Sequence, residues 1–385
     1  MAISVRKVET RTDDKVFFEF PWKIYKDDPN WVPPLKSMRK ETLSREKNPA
    51  WEYLEGDYYI AWRGDEPVGT IAAFVNKRHN EFQHENIAWF GFFESIDDQE
   101  VADALLKTAE DWAKSHGYDA LRGPQSFTAH EEVGVLIDGF ERPVLLMPYH
   151  HAYYQKLIDT YGGLQKVMDV SSYRLDYDPV AFTKSRDYEV MQKIVARIQR
   201  QGNFTVRSVN KKTQVADFGL VKEIYNDAWA ANWGFTPMTD RELDALIEGL
   251  AAFFDPRLSA IVEADGVPAG FMLGVADLNI ALQRAYPRPG VPELMTLAKV
   301  LWHWKLRPKV NGYRIPLMGV REQFRNKGLE MMMIKHFFDN AMGVDQPYRQ
   351  VDAGWILETN HDMIGVLERA NLYPYRTYRL YEKAL

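Results

Sequence analysis

The chain matches itself when slid by roughly two hundred positions, and that self-similarity constrains the fold more than any other feature. Ser4-Val5-Arg6-Lys7-Val8 resembles Thr205-Val206-Arg207-Ser208-Val209, Ile24-Tyr25 resembles Ile224-Tyr225, and Asn30-Trp31 with Pro33 resembles Asn232-Trp233 with Pro237. Downstream, Tyr58-Tyr59-Ile60-Ala61 leading through Asp65 to Gly69 parallels Leu258-Ser259-Ala260-Ile261 leading through Asp265 to Gly270. Near the two ends, Tyr173-Arg174-Leu175 parallels Tyr378-Arg379-Leu380. Any single match is within chance, whereas several in one order at nearly constant offset require two copies of one fold. Each copy reads strand, helices, hairpin, strand, helix, strand, helix and closing strands, a mixed α/β (α+β) pattern. The join falls in Pro179 to Gly202, where Val190, Ile194 and Ile198, flanked by Met191 and Val195, mark one side of a charged helix. The expected organisation is residues 1–178, a helical linker over 179–202, and residues 203–385.

Composition narrows the function. With 385 residues, 46% of them hydrophobic, the chain is too long for one ordinary domain. A formal net charge of −6 argues against a general nucleic-acid binder, which needs a basic footprint. The absence of cysteine excludes disulfides, thiolate zinc sites and thiol nucleophiles together. No apolar run is long enough to span a bilayer, and Met1 to Arg6 has no signal-peptide core, so a cytoplasmic protein is expected.

The most informative stretch is Gly319 to Phe338. Ile315, Leu317 and Val320 make a strand, Arg325-Asn326-Lys327-Gly328 breaks it, and Leu329, Met332, Met333, His336 and Phe337 recur at helical spacing. A strand-turn-helix of this kind presents unpaired N–H groups at the helix entrance. Those donors, the helix dipole and the side chains of Arg325 and Lys327 favour a phosphate, and Gly328 permits close approach to the backbone. In the first copy the corresponding helix buries Val101, Leu105, Ala109 and Trp112, but its entrance carries Glu94, Asp97, Asp98 and Glu100. Carboxylates there satisfy the helix end and repel phosphate, so the first copy is expected to bind no pyrophosphate.

Other segments carry weaker signals. The stretch from Pro124 to Pro148, with Thr128, His130, Glu131, Glu132 and Asp138, reads as a solvated connection. His150-His151 lacks metal-ligand spacing, and no metal site is expected. Tyr225 to Phe235 reads as a helix end with Trp229 and Trp233 four apart on one face; these are core, or, with Asn226 and Asn232 beside them, the wall of a small-molecule pocket. Leu294, Leu297, Ala298, Leu301, Trp302 and Lys305 form an amphipathic helix. Packing on the domain, a pocket lid and membrane-surface contact are its open roles, the last disfavoured by the few cations on its polar face.

The strand, basic glycine turn and helix, followed by strand Gln350 to Leu357 with Glu358-Thr359-Asn360, a helix and closing strands, resemble the GNAT superfamily of acyl-CoA N-acyltransferases. Within it, Asn232-Trp233-Gly234-Phe235 and the Tyr378-Arg379-Leu380-Tyr381-Glu382-Lys383 ending are similar to bacterial proteins of unassigned substrate that carry two tandem GNAT domains. The resemblance implies two tandem GNAT-like domains, each a mixed, mostly antiparallel sheet flanked by helices, the first degenerate and the second holding CoA. The family's pyrophosphate motif falls on Arg325, Asn326, Lys327, Gly328, Leu329 and Glu330, where a small residue is usual at the last position. Glu330 is expected to turn to solvent. The family's asparagine after the fifth strand falls on Asn360, and the position of its acidic tyrosine on Leu367.

The implied chemistry is attack by an amine on the thioester of acetyl-CoA or another acyl-CoA, without a metal. Glu358 is the expected base, Asp227 the second candidate, and Tyr373 or Tyr375 the proton donor to the thiolate. Backbone N–H groups around Met318, Gly319 and Val320 would polarise the thioester oxygen. The acceptor would be a small-molecule or peptide amine, and the chain a homodimer or a monomer. The competing reading is a non-catalytic acyl-CoA or small-molecule sensor that keeps the fold, which Leu367 and Glu330 both allow.

Overall fold

The computed structural model describes residues 2–209, 214–251, 254–307, 309–341 and 348–385. Among the described residues, thirteen strands are distributed over two compact units. They are β1 (Ile3–Lys7), β2 (Leu54–Arg63), β3 (Glu66–Asn76), β4 (Ile87–Ser95), β5 (Ala120–Gly123), β6 (Val135–Asp138) and β7 (Gln165–Asp176), then β8 (Phe204–Ser208), β9 (Ala260–Ala264), β10 (Val267–Ala276), β11 (Gly312–Val320), β12 (Gln350–Leu357) and β13 (Tyr373–Ala384). The first unit comprises Met1–Val170, Ala281–Leu301 and Arg376–Leu385; the second comprises Ser171–Ile280 and Trp302–Tyr375.

The duplication in sequence is a duplication of strand pairing. In the first unit β1, β2, β3 and β4 are antiparallel neighbours, and β4 pairs in parallel with β5 over Ile87–Trp89 and Ala120–Arg122. In the second, β8, β9, β10 and β11 repeat the antiparallel order, and β11 pairs in parallel with β12 over Gly312–Ile315 and Gln350–Ala353. The mixed sheet thus arises from hairpins at one side and a helical crossover before the parallel strand.

Each crossover helix buries the stripe its sequence predicts. In the first unit, Gln99–Ser115 starts at Asp98, whose Oδ1 accepts from the Glu100 N–H (2.9 Å), and Val101, Leu105, Ala109 and Trp112 are buried. In the second, Leu329–Ala341 buries Leu329, Met332, Met333 and Phe337, while His336 is half-buried with its Nε2 2.8 Å from Ser208 Oγ. The helix Arg186–Gln199 packs on Leu329–Ala341 and buries Met191, Val195 and Ile198, so the buried side is centred on the residues expected to flank it, and Val190 is exposed.

Three expectations need correction. The helix Gln214–Trp229 stops at Trp229, whose carbonyl accepts from the Asn232 N–H (2.8 Å); this tight closure ends the helix, so Trp233 lies in the turn beyond it. The stretch from Pro124 to Pro148 is largely inside, with Gln125, Ser126, Thr128, Val133, Val135 and Leu136 all buried. It is held there because Gln125 bridges to Val133, and β6 pairs with β13. The helix Glu293–Leu301 does not pack by its apolar stripe: Thr296 and Val300 are buried, whereas Leu294, Leu297 and Leu301 face solvent.

The last ten residues complete the first unit. Tyr381 to Ala384 pair with β5, Thr377 to Arg379 with β6, and Arg379 makes a two-pronged ion pair with Asp169 (2.9 Å at each prong). Buried Arg376 donates to the carbonyls of Gly139 (3.1 Å), Glu141 (2.9 Å) and Arg142 (3.0 Å). Arg376→Met removes three hydrogen bonds made by a buried guanidinium and should lower unfolding free energy by roughly 1–3 kcal/mol, as read from urea denaturation. A loss below 0.5 kcal/mol, the usual bound for a surface change, would show that water replaces the guanidinium.

Candidate active site

The site begins where two parallel strands stop pairing. β11 and β12 are laddered only as far as Ile315 and Ala353, and beyond that point Leu317 to Val320 keep β10 on one edge but lose β12 on the other. A pocket of about 550 Å³ lies along this parting, well inside the size range of cofactor sites. Met318, Gly319 and Val320 line it from β11, and Asn360, Thr359 and Leu357 from the end of β12. Trp229, Asn232 and Trp233 close a further side.

The loop after β11 supplies the anion-binding end. After a short turn at Glu322–Phe324, both Asn326 (φ 61°) and Gly328 (φ 78°) are left-handed, and Leu329 starts the helix. Alternation of this kind turns successive N–H groups into a concavity for anions, here at the positive end of a helix. Arg325, Asn326 and Gly328 line the pocket. Gly328 is required by its left-handed φ, which strains any side chain, and a Cβ there would also press on the tip of Ile198, 2.7 Å from its Cδ1. Gly319 is required by contact: a Cβ would fall 2.5 Å from the Trp229 ring, which lies across it. Arg325 Nη2 also donates to the Ala228 carbonyl (2.8 Å), tying the loop to the end of the helix before Trp229.

Other predicted residues lie elsewhere. Lys327 is exposed, its Nζ 5.1 Å from the centre of the Phe324 ring, and Leu329 is core; neither lines the pocket. Glu358 and Asp227 are exposed and do not line it either. Asn226 clasps Met238, accepting from its N–H (3.1 Å) and donating to its carbonyl (3.4 Å). Tyr373 donates to Asp176 (2.6 Å) and Tyr375 to buried Asp352 (2.7 Å), so both phenols serve carboxylates outside the pocket lining. Asn360 does two jobs: its Oδ1 caps the helix His361–Arg369 through the Met363 N–H (3.1 Å), and the residue lines the pocket.

The structure adds residues that local sequence patterns do not single out. His361, Asp362, Gly365, Val366 and Arg369 present one face of the helix His361–Arg369 to the pocket. Their three- and four-residue spacing is the signal that could have found them. Glu330 also lines the pocket, half-buried rather than turned to solvent. Burial pushes its pKa up, with Asp362 adding to the effect and Arg325 and Arg369 opposing it.

A smaller cavity of about 70 Å³ shares Trp229, Asn232, Met318, Leu357, Asn360 and Met363 with the first. Its remaining wall is mainly apolar, from Ile315, Pro316, Ala353, Ile356 and Leu367. The arrangement can hold an anion at one end and a short apolar group at the other, with backbone N–H groups of β11 between them.

The same place in the first unit is narrowed to a cavity of about 50 Å³, lined by Phe92, Phe93 and Glu94 of β4 and by Gln125, Ser126 and His150. A Cβ on Gly91 would fall 1.8 Å from the Gln125 carbonyl oxygen, so the chain after β5 lies against β4 where the second unit is open. Glu94 at the end of β4 accepts from Tyr25 (2.8 Å) and Tyr154 (2.7 Å), and burial pushes its pKa up to about 7. His150 is an acceptor for the Leu136 N–H (3.2 Å), its pKa lowered by burial to about 3. Among the described residues no cluster of three or more His, Asp or Glu side chains is placed to hold a metal, and no helix is long and apolar enough to cross a membrane.

Comparisons with known proteins bear on the family and the fold, and the family match falls within the first unit. The model of the acetyltransferase (GNAT) family matches residues 19–123. Protein YghO of Escherichia coli K12 is 32% identical over 99% of this chain and 95% of its own. A bacterial ceramide synthase of Caulobacter vibrioides is 32% identical over 100% of this chain and 98% of its own. In fold, the chain is similar to a tandem GNAT protein from the clavulanic acid biosynthesis pathway, with a TM-score of 0.55 at 12% identity over 99% of this chain and 98% of that one. It is also similar to a probable N-acyltransferase of Enterococcus faecalis, with a TM-score of 0.51 at 10% identity over 100% and 73%.

A raised carboxyl pKa means that Glu330 keeps its proton to higher pH than an exposed glutamate does, and that its charge appears as pH rises through that raised pKa. That charge opposes a neighbouring phosphate. CoA should therefore bind less tightly as pH rises, and Glu330→Gln should remove that part of the dependence and tighten binding several-fold at neutral pH. Titration calorimetry of both proteins between about pH 5 and 8 reads the effect, and superimposable profiles would place the carboxylate away from the phosphates.

Proposed function

The chain belongs to the GNAT family of acyltransferases, and from that premise we propose that it is an acyl-CoA-dependent N-acyltransferase acting on the amine of a long-chain amino alcohol. The reading is carried by the whole-length similarity to a ceramide synthase, since a ceramide is the amide of a fatty acid with such an alcohol. Two features of the second unit support it. The loop at Asn326 and Gly328 suits the phosphates of CoA, and the apolar cavity walled by Met318, Met363 and Leu367 suits the first carbons of an acyl chain rather than a charged group. In the first unit, Gln125 occupies the corresponding parting, which supports a single CoA site per chain.

Acyl-CoA supplies the activated carbonyl. The loop holds the phosphates, and Met318 to Val320 offer N–H groups to the oxygen on which charge builds during attack. Trp229, Asn232 and Trp233 orient the acceptor. The turn from Glu358 to His361 takes the amine proton, directly or through water, and returns it to the departing thiolate, so that a C–N bond replaces a C–S bond with no net proton change inside the site. His361 is the member of that turn with chemistry of a general base that lines the pocket.

Thiol release from palmitoyl-CoA with sphinganine, against acetyl-CoA with short amines, tests the reaction; turnover only with the short pair would overturn the lipid reading. His361→Gln or Glu358→Gln should slow transfer by about a hundredfold or more at unchanged CoA affinity, whichever carries the proton. If both keep the parent rate, water alone is the acceptor. Met363→Trp narrows the apolar cavity and should lower kcat/KM for palmitoyl-CoA by about tenfold or more while sparing acetyl-CoA. An equal loss for both donors would mean that the cavity does not hold the acyl chain.

A further inference from the structure

The helix Glu293–Leu301 is inverted. Leu294 is 80% exposed, Met295 58%, Leu297 41% and Leu301 50%, while Thr296 and Val300 are buried. A helix that packs on its own domain by its apolar face shows the opposite pattern. The residues next in sequence continue the exposure, with Trp302 at 46% and Leu306 at 65%. Lys299, Lys305, Arg307 and Lys309 are exposed among them. Lys305 Nζ sits 3.9 Å from the centre of the Trp304 ring, and the Arg307 guanidinium 5.6 Å from that of Trp302. The acid at the start of the helix, Glu293, is already engaged by the Ser37 N–H (2.9 Å) and hydroxyl. The helix itself carries a single lysine, Lys299, and the further cations stand in the residues after it, so that in a chain whose formal net charge is −6 the run to Lys309 is locally basic as well as apolar.

We infer that this stretch is a surface anchor that lies in the interface of a bilayer bearing anionic headgroups. Its leucines and methionine enter the acyl boundary, its tryptophans take the headgroup level where amphipathic rings settle, and its lysines and arginine pair with lipid phosphates. Charge decides between this occupant and a second copy of the chain. Lysine is depleted in protein interfaces, whereas cations beside an apolar face are the signature of an interfacial helix. The anchor attaches the protein without spanning the membrane, and it does not depend on which amine is acylated.

Flotation of the full-length protein with vesicles of phosphatidylcholine alone, and of an equal mixture with phosphatidylglycerol, tests the assignment. The protein should float with the mixed vesicles, much less with the neutral ones, and raised salt should release it. Leu294→Asp/Leu297→Asp and, separately, Lys305→Glu/Arg307→Glu should each lower partition by about tenfold or more. Circular dichroism and melting temperature should stay at parent values, because these four side chains are exposed. If one pair disturbs folding, the other still decides. Failure of the parent to float, equal flotation with both vesicles, or equal partition of the parent and a folded variant would overturn the proposal. So would a dimeric parent made monomeric by Leu294→Asp/Leu297→Asp.

Discussion

Two parallel strands that pair for only part of their length leave facing backbone edges to be satisfied by something other than each other. In the second unit that parting begins after Ile315 and Ala353, and the candidate active site is built around it. Trp229 lies across Gly319 on one strand, Asn360 caps a helix at the end of the other, and the left-handed loop opens the next helix N-terminus onto the same space. Pairing β11 and β12 along their whole length would close the pocket.

The duplicated scaffold shows how one parting can be kept wide or narrowed. Both units lay down the same antiparallel strands and the same short parallel contact. In the first, Gln125 folds back onto β4, and a half-buried glutamate held by two tyrosines stands at the strand end. In the second, the chain after β12 turns instead into the helix His361–Arg369, whose face with Asp362, Gly365 and Arg369 becomes a wall. The strands of the two copies are alike; the path of the chain after the fifth strand of each copy makes the difference.

Much of this was legible in residues. The self-match, the hairpins, and the strand, loop and helix through Gly328 depend on local pattern, and Met318, Gly319, Val320, Arg325 and Asn326 come from the same stretch. Partners far along the chain are less legible. Arg376 takes carbonyls more than two hundred residues earlier, and no local periodicity identifies them. Tyr373 and Tyr375 resemble proton donors by their place after the last helix, but Asp176 and Asp352 claim their hydroxyls. Helix-end electrostatics alone say nothing of where a side chain on the first turn points, and for Glu330 packing beside Asp362 and Arg369 puts it on the pocket. The Glu293–Leu301 helix shows the same limit, since periodicity locates an apolar stripe without saying what covers it.

The central claim is that one parting of strands, and not both, holds CoA through the loop at Gly328. The stoichiometry of CoA binding to the full chain tests it most directly. Calorimetry should give one CoA per chain for the parent and none for a folded Gly328→Val variant, in which the left-handed turn is strained and Ile198 is displaced. Two sites per chain, or one site that survives Gly328→Val unchanged, would contradict the account.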